Sequence, residues 1–179
     1  MDNRNCLRLK SQFSPQSLTQ SSMITIKTTP EQISIARRMA DDMGFIRHSM
    51  LKGGGNVTGF LGEVAYADRF GLNQDNSYDY DLMTKAGKTV DVKSKSCTSI
   101  PRSHYYVAVE TRYLQSCDFY VFTRILKDLS TVYLLGWMKS DAFKRAAHHF
   151  PAGTPDPHDA AWKNKLDNLQ LEIRQLNQF

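Results

Sequence analysis

Apolar positions along the chain fall into two periods, helical near the start and alternating through the middle. Met23, Ile24 and Ile26 alternate and predict a short extended piece. Thr29-Pro30-Glu31-Gln32 follows, with an N-cap residue, a proline at the first helical position and a Gln three residues after the cap, so a helix should start there. Ile33, Ala36, Ala40 and Met43 keep its spacing, and Gly44 is a natural stop. After a Lys52-Gly53-Gly54-Gly55-Asn56 loop, Thr58 is a plausible cap for a second helix to about Phe70, closed by Gly71. Its apolar arc of Phe60, Leu61, Val64, Ala65, Ala67 and Phe70 contains the carboxylate of Glu63, and a carboxylate on the core side needs a partner. Asp68 falls in the same arc, so the helical wheel does not choose between the two acids.

Strand-like runs rich in aromatic and β-branched residues follow at Tyr78–Met83, Thr89–Lys95, Tyr105–Glu110, Phe119–Leu126 and Thr131–Met138. A helix is expected from Lys139 to His149, a turn-rich connector from Pro151 to Pro157, and a C-terminal helix over 160–176, spaced by Trp162, Leu166, Leu169, Ile173 and Leu176. These elements predict an α/β fold with a central mixed sheet of about five strands flanked by helices. Residues 1–22, rich in Ser, Gln and Asn without period, read as a flexible tail, leaving residues 23–179 as a single domain. The C-terminal helix could pack on the core or pair with a second copy in a homodimer, core packing being preferred.

Composition narrows the class. Hydrophobic residues make up 41% and charged residues 23%, as in an ordinary globular protein. Cys6, Cys97 and Cys117 form no CxxC pair, which points away from zinc or a disulfide framework and toward a reducing cytoplasm. No apolar run approaches a membrane span and no apolar h-region opens the chain, so neither membrane insertion nor export is expected. A net charge of +5 is compatible with a polyanionic partner but does not identify one.

Candidate chemistry lies between Tyr78 and Lys95. Asp81 stands ten residues before Asp91-Val92-Lys93, with the turn-like Lys85-Ala86-Gly87-Lys88 between, a spacing that suits a hairpin. Strand alternation places Asp91, Lys93 and Lys95 on one face and Val90 and Val92 on the other. Two acids and a lysine so arranged can hold a divalent cation, bind an anion and poise a water, as phosphodiester hydrolysis requires. Each piece has a plainer alternative: the triplet as an exposed ion pair, Glu63 as a cap or the partner of Arg69 or Arg102, and Asp81 as an ordinary strand-edge acid. Lys95 extends the positive edge, and Pro101-Arg102-Ser103-His104-Tyr105-Tyr106 puts a base, an imidazole and aromatics nearby, where Arg102, His104 and Tyr105 could contact a phosphate or stack on a base. The glycine-rich loop lacks the order of a nucleotide-binding P-loop, and His148, His149 and His158 lack zinc-ligand spacing.

With Gly62-Glu63-Val64-Ala65 as a helical acid, Asp81 as a strand acid and Asp91-Val92-Lys93 as the half-motif, the core from Gly59 to Leu126 resembles the PD-(D/E)XK nuclease superfamily. That resemblance implies a restriction-endonuclease-like fold with a helix, hairpin, strand, helix core, and Glu63, Asp81 and Asp91 holding Mg²⁺ or Mn²⁺ while Lys93 assists the attacking water. Tyr80 stands where the family name has proline, which leaves Asp79 as a rival to Asp81, the latter being preferred because Leu82 and Met83 continue an apolar strand. The implied activity is DNA cleavage, structure-selective or weakly sequence-specific, in a small phage or mobile-element type of enzyme, with RNA left open as substrate. The alternatives are a nucleic-acid-binding protein on the same fold without turnover, and an interaction or inhibitor protein.

Overall fold

The computed structural model describes residues 23–43, 56–75, 77, 79–112, 116–156 and 159–179. The expected tail, the Gly44 stop, the Lys52–Gly55 loop, Tyr78 and His158 lie outside the described residues. In chain order the elements are β1 (Ile24–Lys27), α1 (Pro30–Met43), α2 (Asn56–Phe70), β2 (Asn73–Gln74), β3 (Leu82–Met83), β4 (Thr89–Cys97), β5 (Tyr106–Glu110), β6 (Phe119–Leu126), β7 (Thr131–Lys139), α3 (Ser140–Ala146), β8 (His148–Phe150), β9 (Pro155–Asp156), β10 (Asp159–Lys163), β11 (Asn168–Glu172) and a 3₁₀ turn, Ile173–Gln175.

Helix α1 begins where its capping box requires. The Gln32 amide donates to Thr29 Oγ1 at 3.1 Å, and the Thr29 amide donates to Gln32 Oε1 at 3.0 Å. Helix α2 starts at Asn56, two residues before the expected cap at Thr58, and ends at Gly71, whose φ of 61° suits a residue without Cβ. Every residue from Phe60 to Ala67 is buried, because α2 lies between the sheet and α1. Its two acids part company in that setting. Glu63 is buried, whereas Asp68 is exposed and accepts a 2.7 Å hydrogen bond from Gln32 Nε2 across the two helices.

Six strands make a mixed sheet in the order β1-β7-β6-β4-β3-β2, in which β4 and β6 run parallel and the other pairs antiparallel. Helices α1 and α2 cover one face over a core that includes Leu61, Ala65, Val90, Val92, Val121 and Ile125. On the opposite face Tyr120, Phe122 and Leu135 meet Phe143 of α3 and Val107, Val109 and Leu171 of a three-stranded sheet ordered β5-β11-β8. Among the described residues no helix is long and apolar enough to cross a membrane.

Three expectations are corrected. The run at Tyr105–Glu110 does form a strand, but β5 belongs to the small sheet and pairs with β11, not with the central strands. The extended run expected at Tyr78–Met83 shrinks to Leu82–Met83. The C-terminal helix is replaced by β10, β11 and a 3₁₀ turn. Leu169, Leu171 and Ile173 also satisfy a two-residue period, and β11 is hydrogen-bonded on both sides, by β5 and β8; that long-range pairing overrides the helical spacing.

Candidate active site

The acidic residues meet where the hairpin stops pairing. Strand β3 pairs with β4 through Leu82 opposite Val90 and Met83 opposite Thr89. The Asp81 amide makes the last backbone bond, to the Val90 carbonyl at 3.0 Å. Beyond it the Val92 amide would be an open edge donor, and the Asp81 side chain supplies the acceptor: Asp81 Oδ2 receives it at 2.7 Å. Asp81 is therefore fixed by the backbone of the triplet it was expected to accompany.

Asp91 stands on β4 between Val90 and Val92, only 2% exposed, and is the cross-strand neighbour of Tyr120. Lys93, two residues on, lies on the same face and brings Nζ to 2.6 Å from Asp91 Oδ2. The ammonium approaches off the direction of a hydrogen bond, so that oxygen is met by charge and not by an aligned donor. Glu63 comes from α2. The helix sits close on the sheet at Gly62, where a Cβ would lie 2.1 Å from Ser94 Oγ and 2.8 Å from Thr123 Oγ1. Glycine at this position lets the next residue reach the strand edge, and Glu63 Oε2 is buried there without a hydrogen-bond partner.

Crowding these groups perturbs their protonation. Burial pushes the Glu63 carboxyl up to about 9, the charges of Asp81 and Asp91 push the same way, and Lys93 opposes them. Asp81 is raised to about 7, by burial first and the Asp91 charge second, against the Val92 amide and Lys93. Burial and mutual repulsion thus both favour the protonated forms of Glu63 and Asp81. Asp79 is exposed, and its charge acts on Tyr80; of the two rival acids, Asp81 is the one brought to Asp91. Neither Arg69 nor Arg102 forms a described ion pair with Glu63; the cation whose charge acts on it is Lys93.

An all-carboxylate donor set with two buried oxygens that lack a hydrogen-bond donor has the chemistry of a hard divalent cation site. As the side chains stand, no three His, Cys, Asp or Glu residues among those described are grouped to hold a metal ion. Lys93 is the counter-charge that Asp91 has.

The groups expected to bind substrate are less concentrated. Lys95 is exposed on β4, four residues and about 13 Å of strand from Asp91. Arg102 and His104 are exposed and Tyr105 is half-buried, in a loop beyond the far end of that strand. The loop is tied to the small sheet: the Ile173 amide donates to the Tyr105 carbonyl at 2.9 Å and the Arg174 amide to the Ser103 carbonyl at 2.9 Å. These bonds set the segment carrying Arg102, His104 and Tyr105 beside the small sheet. Sequence reasoning missed two neighbours that line the site from below. Burial pushes the Cys117 thiol up to about 12, with Asp91 next in effect and Lys93 and Lys144 opposing, and Tyr120 is wholly buried with its hydroxyl facing that thiol. Cys117 has no sequence signal, whereas the register of β6 against β4 would have exposed Tyr120.

No protein-family model matches the chain, and no curated protein is similar to it in sequence.

Proposed function

We propose that the protein is a metal-dependent nuclease hydrolysing phosphodiester bonds in DNA, an endonuclease of structure-selective or weakly sequence-specific kind. The observation that carries this reading is the burial of Glu63 beside Asp81, Asp91 and Lys93, with Glu63 Oε2 left without a partner. A fold does not crowd two buried acids and the half-buried Asp81 for stability, since each raises the cost of ionising the others. Further support comes from the order of elements: helix α2 precedes the β3–β4 hairpin and, after β5 of the small sheet, the strand β6 parallel to β4, which matches the helix, hairpin, strand part of the PD-(D/E)XK resemblance, although β7 and not a helix comes next.

Glu63, Asp81 and Asp91 would hold Mg²⁺ or Mn²⁺, which when bound acidifies a water and polarises the phosphoryl oxygen. Lys93 then donates to the attacking water or to the charge that develops on the phosphoryl group. Asp81 anchors the β4 edge through Val92 while presenting its second oxygen. Lys95, further along the strand, receives a neighbouring phosphate. One observation favours a second reading, a nucleic-acid-binding protein without turnover: the three acids are not grouped around a common point as they stand.

The test is incubation with linear, circular, branched and single-stranded DNA and with RNA, in Mg²⁺, Mn²⁺ or EDTA, alongside Asp91→Ala and Lys93→Ala. Metal-dependent cutting lost in both variants is expected. Cutting that survives EDTA or both substitutions would sink the mechanism, and binding without cutting in either metal selects the second reading.

A further inference from the structure

The face of β4 that lies under α2 changes character along its length. Val90 and Val92 meet the helix first, and the same alternation then puts Ser94 and Ser96 where apolar residues would continue the core. Hydroxyls take that place. Ser94 is the register partner of Thr123 on the parallel strand β6, and their side-chain oxygens lie 2.8 Å apart. Ser94 Oγ also donates to the Gly59 carbonyl of α2 in a long contact of 3.4 Å. With the Ser94 proton directed there, Thr123, only 2% exposed, is the donor between the two hydroxyls.

Both points at which α2 rests on Ser94 adjoin Glu63. The Gly59 carbonyl is the one that accepts the Glu63 amide in the i→i−4 pattern of an α-helix. Gly62, the residue before Glu63, bears on the same hydroxyls: a Cβ there would lie 2.1 Å from Ser94 Oγ and 2.8 Å from Thr123 Oγ1. Apolar contacts such as those of Leu61 and Ala65 hold the helix to the sheet without direction, so they leave its height and axial position free to adjust. A hydrogen-bonded oxygen beneath a bare Cα fixes both. The Thr58 and Ser96 hydroxyls, 3.4 Å apart, extend the polar seam toward the exposed start of α2.

We infer that Ser94, oriented by Thr123, is a positioning residue that sets α2 against β4 so that the Glu63 carboxylate reaches Asp81 and Asp91. Its consequence for metal binding rests on the nuclease reading, in which Glu63 is a ligand.

The experiment compares Ser94→Ala, Thr123→Val and Thr123→Ser in the full chain by Mn²⁺ titration, read from loss of the free-ion EPR signal, and by metal-free crystal structures. Asp68→Ala is the control, since it removes an α2 contact on the α1 side and leaves the Ser94 contacts in place. Ser94→Ala should weaken Mn²⁺ binding about 10-fold, the lower end of what residues behind metal ligands contribute. Thr123→Val keeps the shape and loses the hydroxyl, so it should bind more weakly than wild type. Thr123→Ser keeps the hydroxyl and loses a methyl, so it should bind like wild type; a role in packing alone predicts the reverse order. In metal-free Ser94→Ala, residues 59–63 should shift relative to β4. The inference is overturned if Ser94→Ala loses no more affinity than Asp68→Ala, if Thr123→Ser binds more weakly than Thr123→Val, or if residues 59–63 keep their wild-type place. If wild type binds no Mn²⁺, the nuclease reading falls, and the metal-free structures decide Ser94 without it.

Discussion

Removing the charge of Glu63 should stabilise the metal-free protein. This carboxyl is 7% exposed, has an oxygen with no hydrogen-bond partner, and is raised from 4.5 to about 9 by burial and by Asp81 and Asp91. Because the folded state holds the Glu63 proton more tightly than the unfolded chain does, its effect on stability is absent below pH about 4.5, and stability declines as the pH rises toward about 9. Asp81 acts in the same direction over the lower window, from 3.8 to about 7. The full linkage for Glu63, about 4.5 pH units at about 1.4 kcal/mol each, is an upper limit on the order of 6 kcal/mol that local opening to water reduces. Glu63→Gln keeps the shape and replaces the carboxyl with an amide that does not ionise. We expect a gain on the order of 2 kcal/mol at pH 8, or a rise of roughly 4–8 °C in Tm. Calorimetry in EDTA from pH 5 to 9 provides the measurement. Wild-type Tm should fall across that range and the fall should be shallower in Glu63→Gln. Saturating Mn²⁺ should raise wild-type Tm, since a ligand at about 100 times its Kd contributes about 2.7 kcal/mol, and should raise the variant less. A flat wild-type profile in EDTA, or a variant less stable than wild type at pH 8, would refute the electrostatic account of the site.

Other consequences are open to measurement. Gly62→Ala puts a Cβ 2.1 Å from Ser94 Oγ; despite alanine's better helix propensity it should cost about 1–3 kcal/mol in urea unfolding, and combining it with Ser94→Ala should recover part of that cost. Asp68→Ala removes the 2.7 Å bond from Gln32 and should cost about 1 kcal/mol by the same assay, with cutting unaffected because Asp68 points to α1 and not to the carboxylates. The Cys117 thiol, raised from 9.0 to about 12, should react with a disulfide reagent at pH 8 about a thousandfold more slowly than in the urea-unfolded chain; equal rates would show that the region below Asp91 is open to solvent.

What the sequence shows and what it hides divides along the reach of the interactions involved. The capping box at Thr29 and Gln32 joins residues three apart, so its signature survives without tertiary context. The alternation in β4 likewise separates Val90 and Val92, in the core under α2, from Asp91 and Lys93. The inward carboxylate of Glu63 is readable as a candidate, but its choice over Asp68 depends on α1, which turns Asp68 outward to Gln32. The C-terminal strands are the opposite case. Leu166, Leu169, Ile173 and Leu176 satisfy a helical wheel, and only pairing with β5 and β8, from distant parts of the chain, decides against it. The loop after β4 is set by a similar long-range effect: Arg102–Tyr105 follow β4 closely in sequence, and the bonds from Ile173 and Arg174 tie the segment to the small sheet.

The shortness of β3 connects these observations. A longer hairpin would give the Val92 amide a backbone acceptor and close the β4 edge beside Asp91. Because pairing stops after two residues, Val92 takes its acceptor from the Asp81 side chain, and the edge stays open to α2 on one face and to α3 on the other. Val90 and Val92 hold this stretch in the core below α2, while Tyr120 and Phe143 close the opposite face behind Asp91. Apolar packing thus covers the valine face and surrounds Asp91 and Lys93 on the other face, while Asp81 meets the strand from the β3 side. The cost of holding the acids together is offset largely by that packing, since Glu63 Oε2 and Asp91 Oδ2 are buried without a hydrogen-bond donor among the described residues and Lys93 meets the latter with its charge. A cluster that lowers stability where it stands is the feature that the nuclease proposal accounts for and that fold stability does not.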